Sequence, residues 1–240
     1  MRPIPILIAA SAVTLLISFW NRNDLPRNIE LLPALADEPL QSVTDEAPFT
    51  VRYDDVDYRV EPQYDYELNG MVVSFRHHDG NSRMHRLSND HLNMLDVCVV
   101  WGSNAANTHL QDISFWNGIF TCNVKTSDRE AWDSFDIYKL SNNHLLSDDE
   151  RVRDEVRDVR IGDQIKVRGY LASYESGGGG KRGTSTTRLD TGDGACETLF
   201  VKEFDIVRAA TNYWRIGMYT SLLIFLASLV MYFAAPYKPH

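Results

Sequence analysis

Two uncharged apolar runs bracket a polar middle in this chain. The first, PIPILIAASAVTLLISFW from Pro3 to Trp20, and the second, IGMYTSLLIFLASLVMYFAA from Ile216 to Ala235, are each long enough to cross a hydrocarbon core roughly 30 Å thick. The second has Tyr213 and Trp214 at its start and Tyr232 and Phe233 near its end, where an interfacial aromatic belt would sit. A basic start before an apolar run also describes a secretory signal. Yet only Arg2 and the amino terminus carry charge ahead of the first run, and the small-residue stretch ASA lies inside it. The pattern therefore predicts an N-terminal transmembrane helix over 1–20, with a signal peptide as the alternative. Neither run holds an ionisable residue, so nothing points to ion or proton transport. Within the second, Gly217, Ser221 and Ser228 are small, and the first two are spaced for close helix packing.

Between the runs the pattern is largely of period two. Residues 21–48 come first, with prolines at 26, 33, 39 and 48 and scattered acids, a density that blocks a long helix and predicts an extended linker. Its IELLPALA stretch is apolar enough to lie on another protein's surface. Strand-like segments come next: FTVRYDDVDYRV, YDYELNGMVVSFR, LDVCVVWG and NGIFTCNVK. Between the second and third, HRLSNDHLNMLD offers Ser or Asn caps for one or two helical turns. The clearest helix is SDDERVRDEVRDVRIGD, where Ser147 and Glu150 make a capping box, Val152, Val156 and Val159 share one face, and Arg and Asp fill the other. Two further strands, DQIKVRGYLASYE and ETLFVKEFDIVR, complete the middle.

Strands, one short surface helix, then strands predict a mainly β domain over 49–210: a small antiparallel β-barrel or a sandwich, between a linker at 21–48 and a C-terminal transmembrane helix and tail at 211–240. The order of elements and the GDQIKVRGYL strand resemble an OB-fold, in which a helix lies between the third and fourth strands of a five-stranded barrel. The resemblance spans about Tyr66 to Arg208. In either architecture the loops would carry function.

Charge and cysteines narrow the setting. A net charge of −9 argues against a nucleic-acid-binding module. Lys and Arg counts near the two runs are mixed, but an N-terminal apolar segment with a short basic head usually exports the chain behind it. The middle is therefore expected in the periplasm of a bacterial inner-membrane protein. Cys98, Cys122 and Cys196 all lie there, and an oxidising compartment favours pairing two of them. Cys98 and Cys122 each sit in a strand-like run and are the predicted disulfide, with three reduced thiols as the alternative.

The candidate chemistry is thin. GGGGKRGTSTTRLDTGDGAC, from Gly177 to Cys196, suggests a phosphate loop but fails its requirements: Arg182 stands where Ser or Thr is needed, Glu175 where the first Gly is needed, and TSTTRLD favours strand over helix. A β-hairpin is expected instead, with Arg168, Lys181, Arg182 and Arg188 as a basic patch facing lipid headgroups, an acidic partner or solvent. His77, His78, His85 and His91, with Asp79, Asp90 and Asp96 nearby, are weak metal candidates, because no pair has convincing ligand spacing. His91 and His144 are expected to hold loops by hydrogen bonds. For catalysis, Ser141 with His144, or Cys196 with Glu197 and a distant His, can be nominated, but neither carries a supporting motif. Trp101, Trp116 and Trp132 sit in or beside loops; two are expected in the core and one at a contact.

The balance favours a non-catalytic accessory or assembly subunit of a larger membrane complex, whose partners are other integral membrane subunits and the lipid bilayer. No cofactor motif is present. An envelope ligand or metal sensor and an envelope enzyme are the alternatives.

Overall fold

In the computed structural model, the described residues are 3–27, 29–78, 90–118, 121–177, 180–187 and 196–234. The chain divides into two compact units, the terminal segments Met1–Pro26 and Thr211–His240, and the middle Arg27–Ala210.

The first unit is a helical hairpin. Helix α1 (Pro3–Trp20) packs against the C-terminal helix, numbered α5 (Tyr213–Ala234), and both are long and apolar enough to cross a membrane. Their buried residues are serines: Ser11 and Ser18 on one helix, Ser221 and Ser228 on the other, seven apart in each case. Small side chains let two backbones approach, and the hydroxyls of Ser11, Ser221 and Ser228 donate within their own helix, as where Ser11 Oγ donates to the Leu7 carbonyl at 2.7 Å. The large apolar side chains, including Leu16, Leu223, Val230 and Phe233, face outward. At the base of the hairpin, buried Asn212 accepts from the N–H groups of Trp214 and Arg215, which caps α5, and donates to the carbonyls of Arg22 and Asp24.

The second unit is mainly β. Its strands are β1 (Leu40–Val43), β2 (Phe49–Tyr53), β3 (Val56–His77), β4 (Asn93–Val100), β5 (Ser114–Asn117), β6 (Cys122–Lys125), β7 (Leu140–Leu146), β8 (Gln164–Ser176), β9 (Lys181–Arg182) and β10 (Cys196–Arg208). Short helices α2 (Gly102–Ala105) and α3 (Arg129–Asp133) lie between β4 and β7, and α4 (Glu150–Arg157) joins β7 to β8. Five strands close on themselves in the order β3-β4-β7-β10-β8 and back to β3. All the pairs in this ring are antiparallel except β7–β10, which is parallel, a departure from the all-antiparallel barrel expected from sequence. The crossover through α4 and β8 is what allows β10 to return alongside β7 in the same direction.

Alternation along the strands fills the ring. Leu68, Val72, Leu95, Val97, Val99, Leu145, Val167, Leu199 and Val201 form its core, joined by the Val152, Val156 and Val159 stripe of α4. The helix starts later than the expected capping box: Asp149, not Ser147, is the N-cap and accepts from the Arg151 N–H, while Ser147 donates to the Val201 carbonyl. β3 is long enough to serve two layers. Its second half belongs to the ring; its first half pairs with β2 across a two-residue turn at Asp54 and Asp55, both at positive φ, and with the far end of β8. There Val56, Tyr58, Val60, Ala172 and Tyr174 pack with Leu92, Leu146 and Phe200 in a second core.

The proline-rich segment does not stand off as a free tether. Glu30 and Leu32 bond Gln164, Leu35 is buried, and β1 pairs with β3, because prolines that forbid a helix still permit extended chain. The helical turns expected over 85–96 lie partly outside the described residues; the described part is irregular at 90–92 and then strand β4.

Candidate functional site

The register of β4, β7 and β10 lines up two polar rows. Asp96 lies opposite His144, and His144 opposite Thr198; one step along, Cys98 lies opposite Asn142, and Asn142 opposite Cys196. These residues alternate with Leu95, Val97, Leu145 and Leu199 of the ring core, so they occupy its outer face. Asp96, Asn142 and His144 are nevertheless buried there, and half-buried Cys196 ends the row.

Asp96 is the hub. His144 Nδ1 is 2.5 Å from its Oδ1, His78 Nε2 is 2.7 Å from its Oδ2, and Asn93 Nδ2 donates to it at 3.0 Å. An ionised carboxylate only accepts, so Nδ1 of His144 carries a hydrogen. Burial would raise the Asp96 pKa, but hydrogen bonds from His144 and His78, and their charges, hold it well below the usual carboxylate range. Burial would likewise lower His144; its hydrogen bonds to Asp96 and Cys196, with their charges, outweigh this and raise it to about 9. Asn142 Nδ2 donates to Cys196 Sγ at 3.2 Å. The Asn142 Oδ1 has no partner among the described residues.

A second polar group adjoins the first. Asp90 accepts from the Tyr174 hydroxyl at 2.9 Å and pairs with Arg182 at 3.4 Å. Burial and the Asp90 charge push the Tyr174 pKa well above its ordinary value. After β9 the chain runs beside the start of β10, where the Ser185 N–H donates to the Cys196 carbonyl and Thr198 bonds Gly183 and Thr184.

The glycine-rich stretch is a hairpin, though its paired return is β9 alone, and residues 188–195, including Arg188, lie outside the described residues. Of the expected basic patch, Lys181 pairs with Glu61 at 3.0 Å, Arg182 with Asp90, and Arg168 with Glu67 and Glu203 at 2.6 and 3.3 Å. The weak metal candidates are dispersed: His77 packs on Phe75, His78 binds Asp96, His91 pairs with Asp54 at 3.1 Å, and His85 lies outside the described residues. Among the described residues no group of three or more His, Cys, Asp or Glu is arranged to hold a metal ion.

Cys98 and Cys122 form a disulfide with their Cα atoms 5.8 Å apart, tying the β5–β6 hairpin to β4. Cys196 is two strands from Cys98, roughly 10 Å, beyond disulfide reach, and is not in a disulfide among the described residues. Of the nominated pairs, Cys196 falls on the same face as a histidine, His144, two residues along in the β7–β10 register. Ser141 points with Asn143 to the other face of β7, where it accepts from the Asn143 amide. Trp101 is buried, its indole N–H bonded to Glu38, whereas Trp116 and Trp132 are 46% and 53% exposed. One tryptophan is therefore core and two are outward, the reverse of expectation, because the 102–139 insertion is too small to cover its own aromatics.

In the sequence Asp96 reads only as a metal ligand. The signal for its present role is a single charge inside the otherwise apolar NMLDVCVV, which a buried strand tolerates only with partners. No family model, curated protein or solved structure matches the chain.

Proposed function

We propose that this chain is an accessory or assembly subunit of a larger bacterial inner-membrane complex, its two helices crossing the bilayer and its β domain on the periplasmic side. The ring order, the parallel β7–β10 pair and the helix between the third and fourth ring strands support an OB-class barrel. The Cys98–Cys122 bond supports an oxidising compartment. The apolar outward faces of α1 and α5 support burial in lipid.

The observation that carries the subunit reading is the pair of exposed tryptophans. Trp116 and Trp132 project from an insertion that a disulfide fixes to the barrel, with Ile137 and Tyr138 also exposed on it. Rigid, uncovered Trp side chains are costly to leave in water and are enriched at the centre of protein interfaces. The test is mild crosslinking and mass spectrometry of the proteins that co-purify with the tagged full chain from its own membranes. Stoichiometric membrane partners, lost in the Trp116→Ala/Trp132→Ala double variant, are expected. A solitary chain would overturn the reading.

A further inference from the structure

We propose that Cys196, His144 and Asp96 form a nucleophilic site that takes an acyl group from an ester-class donor, with Asn142 supplying a hydrogen bond to the carbonyl oxygen. Such a site goes beyond the subunit reading and depends on none of its parts.

Four features make the arrangement more than a solitary thiol. Cys196 and His144 lie on the same outer face, two residues apart in the β7–β10 register, and the base is oriented by a carboxylate, Asp96, on its Nδ1. Each group comes from a different ring strand, Asp96 from β4, His144 from β7 and Cys196 from β10, so the hydrogen-bonded ladder fixes their spacing. Asn142 is buried, donates toward Sγ, and has an amide oxygen with no partner among the described residues. Cys196 is half-buried, whereas Asp96, Asn142 and His144 are buried.

The chemistry is set by these positions. His144 takes the Cys196 proton as the sulfur attacks, and the Asp96 charge stabilises the imidazolium that forms. The sulfur attacks the carbonyl carbon, a C–S bond forms, and the carbonyl π pair moves to oxygen, where the Asn142 amide donates to it. Collapse breaks the C–O bond to the alcohol portion, and the departing oxygen takes the proton from His144. The product is an S-acyl Cys196 and a free alcohol. Water then attacks the thioester carbonyl with His144 accepting its proton, which releases the acid and, as that proton passes to sulfur, restores the Cys196 thiol. No oxidant or reductant enters.

The experiment uses the full chain in detergent with p-nitrophenyl acetate as probe. The expected result is one equivalent of p-nitrophenol released in a burst, with one acetyl group on the Cys196 peptide by mass spectrometry, and no burst from Cys196→Ala. The rate at Cys196 should exceed that of the same chain unfolded in urea by about 100-fold or more. His144→Gln and Asn142→Ala are each expected to lower it by about 100-fold. Asp96→Asn, a positioning change, should slow acetylation and move its pH profile to lower pH, because His144 loses the carboxylate that raises it. Acetylation no faster in the folded chain than in urea would overturn the proposal without requiring any variant to fold. So would an acetylation pH profile that Asp96→Asn leaves unchanged.

Discussion

Ser18 Oγ lies 3.0 Å from the point that a Cβ on Gly217 would occupy. The C-terminal end of α1 and the N-terminal end of α5 are thus as close as a glycine and a serine allow. A methyl there asks only that the Ser18 hydroxyl shift by a few tenths of an ångström, whereas a larger side chain must displace the Ser18 side chain itself. Gly217→Ala is expected to leave the thermal unfolding of the full chain in detergent nearly unchanged. Gly217→Leu should destabilise the hairpin by about 1–3 kcal/mol, read from the helical circular dichroism signal. Equal midpoints for the two variants would show that the helices can separate freely at this level.

The buried pair His144 and Asp96 ties stability to pH. His144 is raised in the folded chain to about 9, against about 6.5 when unfolded. Its contribution is complete below about pH 6.5 and is lost as pH climbs from there to about 9, a loss on the order of 3 kcal/mol. Asp96 is lowered, so its contribution is present above about pH 3.8 and is lost as pH falls through its folded value. Denaturant midpoints of the full chain should therefore be highest from about pH 4 to 6.5 and decline toward pH 9. His144→Gln should flatten the alkaline decline. A midpoint constant from pH 6 to 9 in the wild-type chain would mean that the imidazole is not held by the carboxylate.

The β domain is legible in the sequence where one side of a strand faces a core, because alternation reports that half-burial; β2, β8 and the valine stripe of α4 are of this kind. It is less legible where both sides are covered. All eight residues of β4 are buried, since the insertion and its disulfide cover the outer face, so the position of Asp96 in that run carries no periodic signal. His144 and Asn142 look like turn residues in LSNNHLL because polar side chains seldom enter a buried strand. Only the pairing of β7 with strands distant in sequence, β4 and β10, turns them into one cluster. The serines of α1 are silent for a related reason: Ser11 and Ser18 acquire meaning only against α5.

Arg153 illustrates the same limit within a single helix. Its sequence position puts it on the charged face of α4, yet it is buried. Its guanidinium lies over the Tyr53 ring at 3.9 Å and donates to the carbonyls of Leu92 and Ser147 at 3.1 and 2.8 Å. It ties α4 to β2 and to the chain entering β4. Arg153→Met keeps the stem but strands two buried carbonyls, and should cost about 2–4 kcal/mol. Arg151→Met, on the exposed side, should cost less than about 1 kcal/mol. Chemical denaturation of the two variants side by side checks the contrast, and similar losses would place Arg153 in solvent.

Among the described glycines, Gly169 has the tightest approach to backbone; it lies opposite Val201 beside a register shift in the β8–β10 pair. A Cβ there would stand 2.0 Å from the Phe200 carbonyl oxygen and 2.9 Å from its carbon. Both are main-chain atoms of a central strand, so no rotamer change can relieve the clash; either β8 or β10 must move. That distinguishes Gly169 from Gly217, where the obstacle is a rotatable hydroxyl. Displacing β10 would also disturb the start of the same strand, where Cys196 shares a face with His144. Gly169→Ala is therefore expected to destabilise the domain by about 3 kcal/mol or more and to slow acetylation of Cys196, measured on the fraction that remains folded. A Gly169→Ala chain with wild-type stability would show that β8 and β10 do not approach this closely in solution.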